Sequence, residues 1–268
     1  MDESLGAWAN APLAYVLAEV RTEVLSDINE HQPSIAKQLR QDYPIQRKMN
    51  MSRLVATGTQ IMFEQEQDSA WELASPDNKT AVILRTNGIV LHATAYTTSE
   101  EFLGRLDRIL TVFSEVPSIY VNRLGIRYID FILPGEGETP EDYINEKLNP
   151  DLGLSEGREG YAATNIASYP MEKGQLNIRY MRGRGQPSLP PDLGMLTLEP
   201  SHLMKPGLIS EKQPTAILDT DRIIDFSPVE KLDIAKTHEL FTTMRGDIRR
   251  AFRECAITEH AKKTWGAT

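Results

Sequence analysis

TAVILRTNGIVLHATAYTTSEEFLGRLDRILTVF, residues 80–113, carries the clearest structural signal of the sequence. Two β-rich runs flank Asn87-Gly88, a dipeptide that favours the tight turn of a β-hairpin. A helix is then predicted from Thr98 or Ser99, because Glu101 is placed to complete a capping box from Thr98. Apolar residues follow at the helical period: Phe102, Leu103, Leu106, Ile109, Leu110 and Phe113. The stretch therefore predicts an antiparallel hairpin followed by an amphipathic helix.

A second unit of this kind is predicted near the C-terminus, beginning with the β-rich run TAILDTDRIIDF (215–226). Ser227 suits the cap of a helix, Pro228 suits its first position, and Glu230 completes a capping box. The predicted helix is long and amphipathic, with four residues at seven-residue spacing: Ile234, Phe241, Ile248 and Cys255.

The two units share a short sequence similarity, TAVIL (80–84) and TAIL (215–218), which favours internal duplication of a β-β-α unit. We expect an α+β fold with antiparallel sheets, each covered by a long helix. The alternative is one continuous curved sheet that holds a pocket against the last helix.

Further strands are predicted at 12–22, at 59–67, around Trp71 and at 123–133, and a short helix is predicted after Pro33. The segment that begins at Pro134 is rich in Gly, Pro and acidic residues, as a linker or a long surface loop is. We expect an N-terminal α+β half at 1–134, an acidic linker or loop at 135–160, and a C-terminal α+β half at 161–268.

The overall charge disfavours some classes of partner. Lys and Arg total 29 against 38 Asp and Glu, which gives a formal charge of −9. A nucleic-acid partner stays possible through a local basic stripe, but it is not favoured. The single cysteine, Cys255, favours a reducing compartment, and no stretch has the ~18 consecutive apolar residues of a membrane helix. We expect a cytoplasmic protein with no membrane partner.

Five segments together resemble a known family by their order and spacing: PLAYVLAEVR (12–21), LRQDYP (39–44), LGIRYIDF (124–131), ILDTD (217–221) and FRECAITEHAKKTWG (252–266). They resemble the sporadically distributed bacterial proteins of about this length whose activity is not established. The resemblance implies a prokaryotic cytoplasmic protein with the patchy distribution of mobile or defence-linked genes. It carries over no catalytic residue.

Standard catalytic motifs are missing from the sequence. It contains no GxGxxG or GxxxxGK[ST] phosphate loop, no GxSxG elbow, and no HExxH or CxxC motif. One cysteine cannot build a thiolate zinc site. We therefore predict no cofactor, no metal and no catalytic residue, and the sequence favours a non-enzymatic protein, although active sites also assemble from residues distant in sequence.

Asp219 and Asp221 form the strongest carboxylate pair, because positions i and i+2 of a strand project from the same face. Such a pair can bind a divalent cation or support acid–base chemistry; the simpler interpretation is a solvated strand face near a turn. His238 borders the apolar stripe of the last long helix, where a packed or edge histidine is commoner than a catalytic one.

Arg245, Arg249 and Arg253 are spaced four residues apart and predict a basic ridge along the last helix. The ridge is a candidate docking surface for phosphate or for an acidic partner. The simpler interpretation is that cations late in a helix complement its dipole. Trp265, near the chain end, either packs onto the body or offers a partner an aromatic anchor.

Three functions are consistent with these features. The first is a non-enzymatic module that binds another protein, as the regulatory or neutralising member of a bacterial defence or toxin–antitoxin-like pair. The second is a protein that binds a small ligand between sheet and helix. The third is a metal-assisted protein that binds or processes nucleic acid through Asp219, Asp221 and the arginine ridge. The sequence does not predict an oligomeric state.

Overall fold

The computed structural model describes residues 8–57, 60–149, 162–194, 196–200, 203 and 209–266, and it gives only the backbone of 50–57 and 60–69. Its strands are β1 (Leu13–Thr22), β2 (Ile45–Thr57), β3 (Gln60–Ala74), β4 (Thr80–Arg85), β5 (Gly88–Ala93), β6 (Tyr120–Ile132), β7 (Ala163–Pro170), β8 (Gln175–Arg184) and β9 (Pro214–Lys231). Its α-helices are α1 (Ile28–Leu39), α2 (Ser99–Phe113), α3 (Ile234–Arg250) and α4 (Glu259–Trp265).

These strands form a single nine-stranded antiparallel sheet in the order β2-β3-β4-β5-β1-β6-β9-β8-β7. The expectation of several sheets, each covered by its own long helix, is therefore wrong. The physical reason is continuous strand pairing across the middle of the sheet. β1 pairs with β6 from Leu13 opposite Asp130 to Thr22 opposite Val121, and β6 pairs in turn with β9, a strand of the predicted C-terminal half.

The predicted duplication of a β-β-α unit is also wrong, because residues 215–226 lie in one strand. β9 pairs with β6 on one side and with β8 on the other, and it continues through Ser227 and Pro228 to Lys231. Helix α3 starts later than predicted, and its cap is Asp233, whose side chain accepts from the Lys236 N–H.

The halves of the sheet nevertheless share an order of strands about the β1–β6 pair. On one side, β1 is followed outward by β5, β4 and β3, with β2 as one further strand at the edge; on the other, β6 is followed by β9, β8 and β7. In each half of the sheet, the strand beside the central pair is the last of that half in sequence order, and a long helix follows it: α2 follows β5, and α3 follows β9.

The hairpin and helix at 80–113 are confirmed. Arg85 pairs with Gly88, whose φ of +130° suits glycine alone, since a Cβ there would lie 2.1 Å from the Val20 carbonyl oxygen. The Thr98 hydroxyl accepts from the Glu101 N–H, and all six apolar residues of the predicted α2 stripe are buried. The helices pack on one side, the helix-covered face, over one continuous core of alternate strand residues.

The C-terminal helical region has a break in its period. Phe241, Met244 and Ile248 are buried as predicted, but residues 251–256 form a π-helical turn. A π turn adds one residue per turn, which rotates the following side chains, and Cys255 is exposed.

The predicted linker is described only as far as residue 149. Pro140 and Leu148 are buried there, and Ile144 forms an antiparallel bridge with Ile257. Strands from both predicted halves lie in one sheet, and the division into two domains stays a prediction. Across the described ranges, no helix has the length and apolar character needed to cross a membrane.

Candidate functional site: an arginine-lined cleft

The face of the sheet opposite the helices, here called the open face, carries a row of residues in register on four central strands, and three of the four residues are arginines. Arg21 of β1 pairs with Gly88 of β5 and with Arg123 of β6, while Arg85 of β4 pairs with the same Gly88. Residues in register on adjacent strands have Cβ atoms about 5 Å apart. Three guanidinium groups therefore meet at one end of this face, which we call the arginine end.

Two of these arginines share one carboxylate. Arg21 Nη2 lies 3.1 Å from Glu19 Oε1, and Arg85 Nη2 donates to the same oxygen. Burial alone would raise the pKa of Glu19, but the charges of Arg85 and Arg21 outweigh it and hold that pKa below its usual value. Arg85 Nε is buried and has no hydrogen-bond partner among the described residues. The arginine end thus keeps donor capacity that Glu19 does not satisfy.

A cleft of about 240 Å³ runs from the arginine end along the open face. Its floor at the centre is Gly125, where an added Cβ would meet only the Glu19 side chain, at 3.9 Å. Apolar side chains form its walls: Leu17, Ile83, Val90, Leu193, Leu196 and Ile223. Leu193 and Leu196 come from the segment before β9, which covers part of the open face.

The opposite end of the cleft is acidic and is organised by Arg127. Its guanidinium donates to Asp219 through Nε and Nη2, each at 2.7 Å, and to Asp192 through Nη1 at 2.6 Å. Arg179 Nη1 donates to Asp219 at 2.9 Å, and its Nη2 lies 3.7 Å from Asp221. Burial raises the pKa of Asp221 although Arg127 and Arg179 oppose it.

The predicted pair Asp219 and Asp221 therefore shares one face, as the strand period requires, but that face is not solvated. Asp219 is fully buried and Asp221 nearly so. Both carboxylates are directed to arginines on the neighbouring strands β6 and β8. Among the residues that the structure describes, no group of three or more His, Cys, Asp and Glu side chains is arranged to hold a metal ion.

His238 lies far from this cleft, on the helix-covered side of the molecule. Its Nδ1 is 2.7 Å from Asp107 Oδ2, which links α3 to α2. The side chain is partly exposed, and the contact places it in a pair between helices.

The predicted arginine ridge also lies on the helix side, and its members differ in burial. Arg245 is buried and hydrogen-bonds to Tyr96, and Arg249 is partly buried. Arg253 stacks over the Trp8 ring, with its guanidinium carbon 5.0 Å from the ring centroid. The ridge is therefore built into contacts of the chain with itself.

Trp265 is buried and packs onto the body. Its ring stacks on Phe252 with centroids 6.2 Å apart and on Trp8 at 6.5 Å, and it lies 5.4 Å from Tyr143. These ring contacts hold Trp8 against α4. The Asn10 backbone N–H donates to the Trp265 carbonyl oxygen beside them.

The residues that line the cleft escaped sequence reasoning, apart from Asp221. Arg21, Arg85 and the pair Arg123 and Arg127 stand in three separate β-rich runs, and only the pairing of β4, β5, β1 and β6 brings them together. The available signal was period-two alternation, which places Arg21 with Glu19 and Arg123 with Arg127 on one face of each strand.

Among known proteins, no family model and no curated protein matches this chain.

Proposed function

We propose that this protein is a binding protein whose arginine-lined cleft holds a small anionic ligand. The observation that carries the proposal is the excess of guanidinium over carboxylate at the arginine end. Arg21 and Arg85 share Glu19, and Arg123 has a 2.6 Å contact with Asp225, which is itself more than half exposed. Three cations thus face two anions, and an incoming carboxylate or phosphate completes the set.

Arginine suits this role because its planar guanidinium binds carboxylate and phosphate through paired hydrogen bonds. A cleft with apolar walls and a few converging polar groups is also the usual form of a small-molecule site. The carboxylates that line the cleft, Glu19, Asp192 and Asp221, each face an arginine. This arrangement supports binding, and we assign no reaction to it.

The lone cysteine supports placing the protein in the cytoplasm.

The test is calorimetric titration of the full chain with phosphate, sulfate and short carboxylates, and with a single-stranded oligonucleotide as the nucleic-acid alternative. We expect a small anion to bind and the double variant R21Q/R85Q to weaken it at least about tenfold, the equivalent of 1.4 kcal/mol. Arg108→Gln is the matched control, because Arg108 pairs with Asp42 on the helix side. Equal binding by R21Q/R85Q and wild type, or binding of the oligonucleotide alone, contradicts the proposal.

A second candidate function is the binding of another protein, in the regulatory or defence-linked role that the sequence suggested. The observation that favours it is β7, which lies at one edge of the described sheet and exposes Ile166 by 60% and Tyr169 by 47%. An open edge strand with apolar side chains is a template for an added strand. Co-purification of one stoichiometric partner from the native host, lost in Ile166→Lys and kept in Val24→Lys, supports this candidate. Retention of the partner by Ile166→Lys removes it.

A further inference from the structure

The two ends of the arginine-lined cleft carry opposite formal charge. At the arginine end, Arg21, Arg85 and Arg123 exceed Glu19 and Asp225 by one positive charge. At the other end, three carboxylates exceed two guanidinium groups by one negative charge: Asp192, Asp219 and Asp221 against Arg127 and Arg179. The cleft is therefore dipolar along its length.

From this pattern we infer that the ligand is an elongated zwitterion, with a carboxylate or phosphate at one end and an ammonium group at the other. The inference rests on the proposed function, because it assigns the anionic group to the arginine end. The ammonium group lies at Asp221 and Asp192, where Asp221 lines the cleft and Asp192 is 60% exposed at its rim. A carboxylate pair of this kind satisfies a primary ammonium through charge-assisted hydrogen bonds.

The distance between the two ends sets the length of the ligand. Arg123 and Arg127 are four residues apart on β6, and their registered partners are Arg21 and Asp221 respectively. Four residues of a strand span about 13 Å. The arginine side chains extend into the cleft, so the separation between the charged groups of the ligand is shorter than this backbone span. It still corresponds to several bonds. An α-amino acid, whose charges are adjacent, is too short to reach both ends.

The middle of the cleft fits an unbranched apolar chain. Gly125 leaves the floor free of a side chain. Ile223 of β9 is its registered neighbour on one side, and on the other side Glu19 of β1 separates it from Val90 of β5. Leu193 and Leu196 cover the same region from above the sheet. Of the described residues that line the cleft at this level, Glu19 alone has a polar side chain, and its carboxylate is already paired with Arg21 and Arg85, so a methylene chain loses little hydrogen bonding there. The class of ligand is thus an ω-amino acid or an aminoalkyl phosphate.

The experiment is a series of titrations with glycine, 4-aminobutanoate, 6-aminohexanoate and 8-aminooctanoate, with hexanoate as the probe that lacks the ammonium group. We expect affinity to pass through a maximum at an intermediate length, and 6-aminohexanoate to bind at least about tenfold tighter than hexanoate. Asp221→Asn is nearly isosteric, and it should abolish that difference. Hexanoate should bind no more weakly than to the wild type, because the change removes a negative charge from the cleft.

Gly125→Val is the second variant, because the position has no positive φ and an added Cβ would meet only the Glu19 side chain, at an ordinary contact distance of 3.9 Å. It should keep the unfolding temperature of the wild type and lose binding of every probe. If hexanoate binds but the ammonium group adds nothing and Asp221→Asn changes nothing, the zwitterion is wrong while anion binding stands. If no probe, phosphate or sulfate binds at all, both conclusions fail.

Discussion

Asp130 is a buried carboxyl group that the ligand site does not use. It lines a small cavity of about 20 Å³ on the helix-covered face, together with Trp8, Thr220 and Phe252. Burial, with a smaller contribution from the charge of Asp219, raises the pKa of Asp130 from 3.8 to about 8. The folded protein therefore holds a proton on Asp130 at a pH at which the unfolded chain has released it.

This difference predicts a dependence of stability on pH. Between about pH 4 and pH 8 the folded state binds more protons at Asp130, so the free energy of unfolding falls as pH rises, by up to about 1.4 kcal/mol per pH unit. Asp130→Asn should remove that slope and be more stable than wild type near pH 8. Urea unfolding at several pH values measures the slope. A slope in Asp130→Asn as steep as in the control Asp42→Asn contradicts the assignment.

Tyr15 and His92 form a hydrogen bond on the face of the sheet opposite the helices, and both side chains are buried there. The Tyr15 hydroxyl lies 2.6 Å from His92 Nδ1. Burial lowers the pKa of His92 to about 3, so the imidazole is neutral over the usual pH range. Tyr15→Phe leaves Nδ1 buried without its partner, and we expect it to cost about 1–3 kcal/mol of the free energy of unfolding. Urea denaturation measures the cost, with the exposed Tyr120→Phe as control. An equal, small effect of both variants is the contrary result.

At the scale of single residues, the sequence predicts which side chains share a face, but not what lies opposite them. Period-two alternation correctly places Asp219 beside Asp221. Their partners Arg127 and Arg179 come from strands distant in sequence, and nothing local indicates the pairing. The same long-range pairing changes a predicted solvated pair into a buried one.

Among the elements, those with strong local signals are predicted well. The Asn87-Gly88 turn and the Thr98 cap both occur, because each is decided by a few neighbouring residues. Strand β2 was missed, and α1 begins at Ile28, before the predicted start after Pro33. Ser227, the predicted helix cap, lies within β9, which pairs with β6 as far as Lys231, so long-range strand pairing outweighs local helix signals there.

Two glycines in elements test this distinction between local and tertiary requirements. Gly104 lies within α2 and a Cβ there would meet nothing within 4 Å, so Gly104→Ala should stabilise the protein by about 0.5–1 kcal/mol. Gly88→Ala should destabilise it by more than about 1 kcal/mol, because it combines a positive φ with a clash against Val20. Thermal and urea unfolding of the matched pair measures both signs. The prediction is contradicted if Gly104→Ala destabilises the protein, or if Gly88→Ala does not.

For the whole molecule, the class of secondary structure was predictable and the number of sheets was not. Alternation and helical periods are read from short windows, and they correctly indicate an α+β protein with antiparallel strands. The choice between several sheets and one depends on whether β1 pairs with β6, whose residues are distant in sequence. Short windows carry no information about that pairing.

The shared sheet predicts that the two halves of the chain unfold together. A fragment of residues 1–134 lacks β9 and leaves one side of β6 unpaired, while 161–268 lacks β6 and leaves β9 open. We expect one cooperative urea transition for the full chain by fluorescence and by circular dichroism, and no cooperative transition for either fragment. Two separate transitions in the full chain would instead support the division into two domains.

The central position of β1 has a consequence during protein synthesis. β1 leaves the ribosome before the other described strands, yet its two neighbours are β5 and β6, which end at Ala93 and Ile132. Until those strands are translated, the nascent chain exposes an apolar β1 with both edges open. Because such pairing over long distances along the chain is slow and leaves strands open to aggregation, we expect translation through β6 to be the interval in which this protein depends most on chaperones.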